Sequence, residues 1–232
     1  LPREFSEAGM IRYGFHGLSY EYIAGVLPGI VGEHANGRIV VAHLGNGASL
    51  CAMQNLRSIA TSMGFTPLDG LMMGTRCGSL DPGVWLYLQR ERGLGPEQLE
   101  DLLARRSGLL GVSGLSDDVQ ALEASDDPRA REALDMFADR AAAAIAAHCA
   151  ALDGLDALVF TAGIGEHSAG TRARICGRLG WIGVSLDKDT NAHHAQRINS
   201  ADSRVEVLVI PTDEEIVIAR AAQEVTAEAA SG

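Results

Sequence analysis

The sequence predicts an α/β domain with an antiparallel β-hairpin at its start, in the order βββ-α-β-α-β-α. Three observations carry that expectation. Residues 38–62 break into three short runs split by turn residues, the pattern of an antiparallel meander. Two later runs, Ala157–Thr161 and Val205–Ile210, read as buried strands, apolar but for Thr161 and Glu206, as strands covered on both faces are. Helical text alternates with those two runs.

The elements follow in chain order. Arg38 to Ala42, Ala48 to Met53 and Arg57 to Ser62 are the three opening strands. Between the first two, Asn46-Gly47 is a strong hairpin signal, which predicts a type I′ turn with positive φ at both central residues. Asp81-Pro82 opens a helix, with proline suited to the first helical position. A second helix runs from Pro96 to about Arg105. A third, longer helix runs from Asp127-Pro128 to about Leu152, with Leu134, Phe137, Ala141, Ala144, Ile145 and His148 near helical spacing. The strand Ala157–Thr161 runs into a glycine turn and a helix from about Ser168 to Leu179. The strand Val205–Ile210 is stopped by Pro211, and Asp213-Glu214-Glu215 opens a last helix through about Val225.

Composition narrows the function classes. The chain has 232 residues, 47% hydrophobic and 21% charged, which suits one large domain or two small ones with a sizeable core. Its net charge of −11 argues against a nucleic-acid or anionic-membrane partner, so an anionic ligand would need local positive groups. The four cysteines, Cys51, Cys77, Cys149 and Cys176, contain no C-x-x-C pair, a spacing that suits a reducing, cytoplasmic setting better than a zinc site or disulfide framework. No run reaches membrane-spanning length.

Several motifs carry chemistry. The hairpin His43-Leu44-Gly45-Asn46-Gly47 leaves backbone N–H groups bare at its tip, where a phosphate could approach without meeting a Cβ. Phe160 to Ser168 is a strand, a glycine turn and a helix start; ligands of open α/β sheets sit at such strand ends, although many such turns are only tight turns. His16, between glycines in Tyr13-Gly14-Phe15-His16-Gly17, reads either as a packed loop histidine or as a group reaching into a cleft. Arg76 stands in the loop Gly70–Gly78, rich in glycine and methionine, and needs either an anion or a structural carboxylate partner. Glu214 lies in a helix first turn, where capping explains carboxylates and a Mg²⁺ contact is the competing reading.

Taken in order, these segments resemble the acetokinase family of the sugar kinase/Hsp70/actin superfamily. The carrying text is Arg12–Gly17, His43–Ser49, Thr61–Gly78 with Asp81-Pro82, Phe160–Glu166 and Ile210–Glu215. The resemblance implies a ribonuclease H-like (actin-like ATPase) fold and reversible, Mg²⁺-dependent phosphoryl transfer from ATP to acetate, giving acetyl phosphate and ADP. It assigns His16 and Arg76 to stabilising the transferring phosphoryl, a step that needs fixed donors more than covalent chemistry. It assigns His43, Leu44, Gly45, Asn46 and Gly47 to the phosphate hairpin, and Gly163, Ile164, Gly165, Glu166 and His167 to the adenosine motif. Asp118, Val119 and Gln120 correspond to a further nucleotide-contacting segment. Phe15 and Pro67 match the small acyl pocket, and Glu214 matches a magnesium-linked glutamate. A homodimer in the cytoplasm is implied as well.

The departures from the family pattern are specific. Leu18-Ser19-Tyr20 stands where Thr-Ser-His is usual, Ala60 and Ser79 replace acidic residues, Gln120 replaces an arginine, and His167 replaces a common asparagine. None removes His16, Arg76 or Glu214. The resemblance covers only the C-terminal half or so of the family's length, so residues 1–232 read as a C-terminal nucleotide-binding domain. An N-terminal domain that completes the acyl site lies outside this sequence. The expectation for the chain alone is weak nucleotide binding and essentially no turnover. The same chemistry on propionate or another short acyl group, and a non-catalytic nucleotide-binding module, are the competing readings.

Overall fold

The computed structural model describes residues 1–231. In chain order the elements are helices α1 (Arg3–Glu7) and α2 (Gly17–Val31), a 3₁₀ turn (Gly32–Asn36), and strands β1 (Arg38–Leu44), β2 (Ala48–Gln54) and β3 (Arg57–Thr61). Helices α3 (Pro82–Glu91), α4 (Pro96–Arg105), α5 (Gly108–Ser113), α6 (Val119–Glu123) and α7 (Pro128–Leu152) follow. Strand β4 (Ala157–Thr161) leads into α8 (Ala162–His167), α9 (Ala169–Gly177), a 3₁₀ turn (Gly180–Ile182) and α10 (Lys188–Ala192); β5 (Glu206–Val209) and α11 (Glu214–Ser231) close the chain.

One five-stranded sheet runs in the order β3-β2-β1-β4-β5. The first three strands are antiparallel, while β4 and β5 pair in parallel outward from β1. Both faces are covered, which is why the central strands read as unbroken apolar text. Val40, Ala42 and Leu44 of β1 join Phe137, Ala141 and Ile145 of α7 in one core; Ile39 and Val41 join Ile23 and Leu27 of α2 in the other. The parallel strands point their carboxyl ends at the hairpin tip and α8, the end of such sheets where ligands bind.

The opening strands and helices 82–91, 96–105 and 128–152 appear where the sequence places them. The short helices α1, α5, α6 and α10 were not expected, and three further differences bear on the site. Helix α2 was not legible, because Gly25, Pro28 and Gly29 interrupt it; Pro28 removes a helical N–H, and burial of Tyr20, Ile23 and Leu27 holds the helix regardless. The hairpin tip is not a type I′ turn. Leu44 pairs with Ala48, which leaves a three-residue loop, and neither Asn46 nor Gly47 lies at positive φ. The loop is shaped by bonds outside the hairpin ladder: Gly45 N–H donates to Gly47 O at 3.1 Å, and Gly74 N–H donates to Asn46 O at 3.3 Å. Finally, the glycine turn after β4 is itself the short helix α8, entered through Ala162 at φ 65°, and Ser168 separates it from α9 by accepting the Thr171 N–H.

Candidate active site

The hairpin tip is the meeting point. His16 occupies the N-cap of α2 with φ 59°, a left-handed conformation that turns its ring back over β1. A Cβ on Gly47 would lie 3.3 Å from His16 Nε2 and 3.4 Å from Arg76 Nη1, so both side chains reach the tip and glycine makes room for them. The rings of His16 and His43 stack with centroids 4.0 Å apart and planes at 14°. His43 is buried, its Nδ1 2.9 Å from Ser19 Oγ. Burial, with His16 adding to it, pushes the His43 pKa down to about 3. Burial also lowers the His16 pKa, and the neighbouring Arg76 charge acts in the same direction. Both rings are therefore neutral at physiological pH.

Arg76 donates from Nη1 to Pro67 O at 3.3 Å and reaches Met73 Sδ at 3.8 Å. Among the described residues no carboxylate lies within ion-pair distance of it. Of the two sequence readings, the structural salt bridge therefore lacks a partner, and the anion reading remains.

Beside the tip lies a cleft of about 300 Å³, lined by Gly45, Asn46, Asp118, Val119, Gln120, Gly163, Ile164, His167 and Ser168. Three sequence-distant segments singled out for nucleotide contact thus share one concavity. Their other members act from behind it. Leu44 is core. Gly165 packs α8 on the sheet, where a Cβ would sit 3.4 Å from the Phe160 carbonyl carbon. Glu166 accepts the Thr212 N–H at 3.2 Å and ties α8 to the approach of α11. Asp118 caps α6 by accepting the Gln120 N–H at 2.9 Å.

The acyl-pocket pair is not assembled here. Phe15 lines a separate cavity of about 370 Å³ with Tyr13, Tyr20, Cys51 and Thr61, and Pro67 is exposed outside it. Glu214 opens α11 half-buried, while its neighbour Asp213 takes the capping role by accepting the Ile216 N–H at 3.0 Å. Capping thus occupies Asp213 and leaves the Glu214 carboxylate, a hard oxygen donor, outside the cap, while the Thr212 hydroxyl is buried with no hydrogen-bond partner among the described residues. Among the described residues no group of three or more metal-ligating side chains occurs.

Sequence reasoning missed Arg172. Its side chain is fully buried with no carboxylate within ion-pair distance among the described residues; it donates to Gly165 O, Glu166 O, Asn191 O and Asn191 Oδ1 at 2.8–2.9 Å and to His194 Nδ1 at 3.0 Å. It thereby holds carbonyls of α8, the helix whose Gly163, Ile164 and His167 line the cleft. The signal was present: Thr171, Arg172, Ile175 and Cys176 form the buried stripe of α9 at helical spacing.

Comparison with known proteins gives the family of the chain. Residues 1–220 match the model of the acetokinase family. An acetate kinase of Rhodopseudomonas palustris is 60% identical over 223 residues, covering 95% of this chain and 56% of that protein. The crystal structure of Porphyromonas gingivalis acetate kinase superposes with a TM-score of 0.92 at 38% identity, covering 97% of this chain and 59% of that one. A propionate kinase from Francisella tularensis superposes at 0.90, also at 38% identity, over 95% of this chain and 58% of its own. The chain thus spans somewhat more than half the length of the relatives it matches. With these likenesses the five-stranded sheet is the actin-like ATPase core.

Proposed function

The chain belongs to the acetokinase family, and from that premise we propose that residues 1–232 form the nucleotide-binding domain of a longer kinase that phosphorylates acetate with ATP. In the reaction an acetate oxygen attacks the γ-phosphorus, the bond to the β–γ bridging oxygen breaks, and acetyl phosphate and ADP leave; the reverse direction uses the same groups. The observation that carries the reading is the convergence of His16 Nε2 and Arg76 Nη1 on Gly47 while the neighbouring Gly45 and Asn46 line the cleft. A nucleotide seated in that cleft extends its phosphates along the hairpin backbone toward both side chains. There Arg76 supplies charge and His16 an N–H donor to the equatorial oxygens.

Glu214 fits a Mg²⁺ contact, direct or through water, since its carboxylate is not used for capping and Mg²⁺ takes oxygen ligands from few protein groups and many phosphates. Bound there, the ion would neutralise charge on the transferring phosphates. Phe15 and Pro67 would enclose the acyl methyl only with residues from outside this chain. A homodimer is supported by α3, which buries none of its side chains and exposes Trp85, Leu86 and Tyr87. The four free cysteines suit the cytoplasm, and the excess negative charge disfavours nucleic acid and anionic membranes. Among the described residues no helix is long and apolar enough to cross a membrane.

A hydroxamate assay tests the reading, run on the chain and on a fusion joining it to the complementary segment of the R. palustris relative. Acetyl phosphate formation by the fusion, abolished by Arg76→Ala and absent from the chain alone, is the expected outcome. Nucleotide binding without phosphorylation of any short acid would refute it. The propionate kinase likeness favours one second reading, so propionate belongs in the same assay; a higher kcat/KM with it changes the acceptor and leaves the chemistry intact.

A further inference from the structure

His16 is the end of a buried hydrogen-bonded row. Its Nδ1 lies 2.8 Å from Ser49 Oγ, and the Tyr20 hydroxyl bonds the same oxygen. Ser49 is fully buried and Tyr20 is 6% exposed. Among the described residues neither hydroxyl has a further partner.

Counting hydrogens decides the direction of the row. If Tyr20 O–H donates to Ser49 and Ser49 O–H donates to Nδ1, every hydrogen has an acceptor. If Nδ1 carries the hydrogen instead, Ser49 Oγ must accept it, and either the Ser49 or the Tyr20 hydroxyl hydrogen is left bare. An unmade hydrogen bond in a buried position is the costlier arrangement. Burial keeps the Tyr20 phenol protonated, since it raises the pKa above the ordinary value.

We propose that Ser49, held in the row by Tyr20, is a positioning residue: donating its O–H to Nδ1, it holds His16 as the Nε2–H tautomer with that N–H turned to the hairpin tip at Gly47. The catalytic meaning of this relay rests on the function proposed above; the relay itself does not. Ser49 decides the tautomer because, were Nδ1 to carry the hydrogen, the serine's own hydrogen or that of Tyr20 would have no acceptor among the described residues. A neutral ring beside Arg76 then offers the phosphoryl oxygens a directed donor, while Arg76 supplies the charge.

The test sets three variants against one another. Ser49→Ala removes the donor, Ser49→Thr keeps a hydroxyl, and Tyr20→Phe leaves Ser49 O–H with Nδ1 as its acceptor. In imidazole ¹H–¹⁵N correlation spectra of the 232-residue chain, the expected result is Nε2–H His16 in the wild type, in Ser49→Thr and in Tyr20→Phe. A mixture of tautomers is expected in Ser49→Ala. In the fusion enzyme, kcat should fall about tenfold in Ser49→Ala, as loss of one buried hydrogen bond predicts, with the KM for ATP unchanged and the loss recovered in Ser49→Thr. An Nδ1–H ring in the wild type overturns the proposal. So does a pure Nε2–H ring in Ser49→Ala. Tautomers that shift as expected while kcat stays put would support the relay and overturn the part assigned to His16 in phosphoryl transfer.

Discussion

The imidazoles of His16 and His43 lie face to face, centroids 4.0 Å apart, with each Nδ1 bonded to a different serine, Ser49 and Ser19. Two protonated rings at that separation would repel strongly, and burial already disfavours charge on each. The stack is therefore a neutral platform. It lies under the hairpin tip, and Arg76 brings a formal charge to that point.

This arrangement makes stability pH-dependent in a stated direction. Unfolded, His43 titrates near its ordinary value of 6.5; folded, it is held down to about 3. A depressed histidine pKa means that the unfolded state binds more protons between those values. Stability is thus complete above about pH 6.5 and falls as the pH drops toward 3, by on the order of a few kcal/mol. Urea midpoints measured at pH 7 and pH 4.5 should fall more steeply in the wild type than in His43→Gln. Equal slopes would show that His43 is not buried neutral.

Arg76 has no ion-pair partner among the described residues, so its removal should cost catalysis and not the fold. In the fusion enzyme, Arg76→Ala is expected to lower kcat by about 10²–10⁴-fold, the range for a lost charge donor at a phosphoryl-transfer centre. Arg76→Lys should recover only part, because a point charge does not replace a planar fork. Tm should stay close to the wild-type value, and a large drop would identify Arg76 as structural after all.

What was legible in the sequence follows from range. Asp81-Pro82, Asp127-Pro128 and the two-sided strand 157–161 announce themselves through caps and local composition, and they stand where expected. The segments proposed for nucleotide contact were singled out by motif and, for Asp118, by the family resemblance, while only the fold shows Asn46, Asp118 and Gly163 sharing one cleft. Tertiary forces decided the rest. Burial, not propensity, holds α2 around Pro28, and bonds from Gly74 override the turn that Asn46-Gly47 would form by itself. The proposed acyl pocket was the least accessible: the cavity that Phe15 lines does not include Pro67, which is exposed.

Arg172 gives a stability prediction tied to a binding one. Removing its guanidinium leaves the carbonyls of Gly165, Glu166 and Asn191 without these donors in a buried site. Arg172→Met should destabilise the chain by about 3 kcal/mol. Arg172→Lys, with fewer and differently placed donors, should recover less than half. Because α8 forms a cleft wall, ADP affinity should fall in both variants under conditions where the fold persists. Unchanged affinity in a folded Arg172→Lys would show that α8 keeps its position without this anchor.

Two glycines at the hairpin separate catalysis from folding. Gly47 has no positive φ, so alanine there meets no backbone strain; its Cβ would press on His16 Nε2 at 3.3 Å and on Arg76 Nη1 at 3.4 Å, the ends of side chains able to yield slightly. The expected result for Gly47→Ala is a Tm within a few degrees of wild type with kcat reduced roughly 10²-fold, since small misplacement of catalytic groups is expensive. At Gly74 the Cβ would sit 2.2 Å from Asn46 Oδ1 and 3.3 Å from Asp117 O. Asn46 must then swing away, and both it and Asp117 border the cleft segments. Gly74→Ala should therefore weaken ADP binding and lower Tm together. A Gly47→Ala enzyme with full activity would place the reacting phosphoryl group away from the hairpin tip and remove the geometric basis for His16 and Arg76 acting on it in concert.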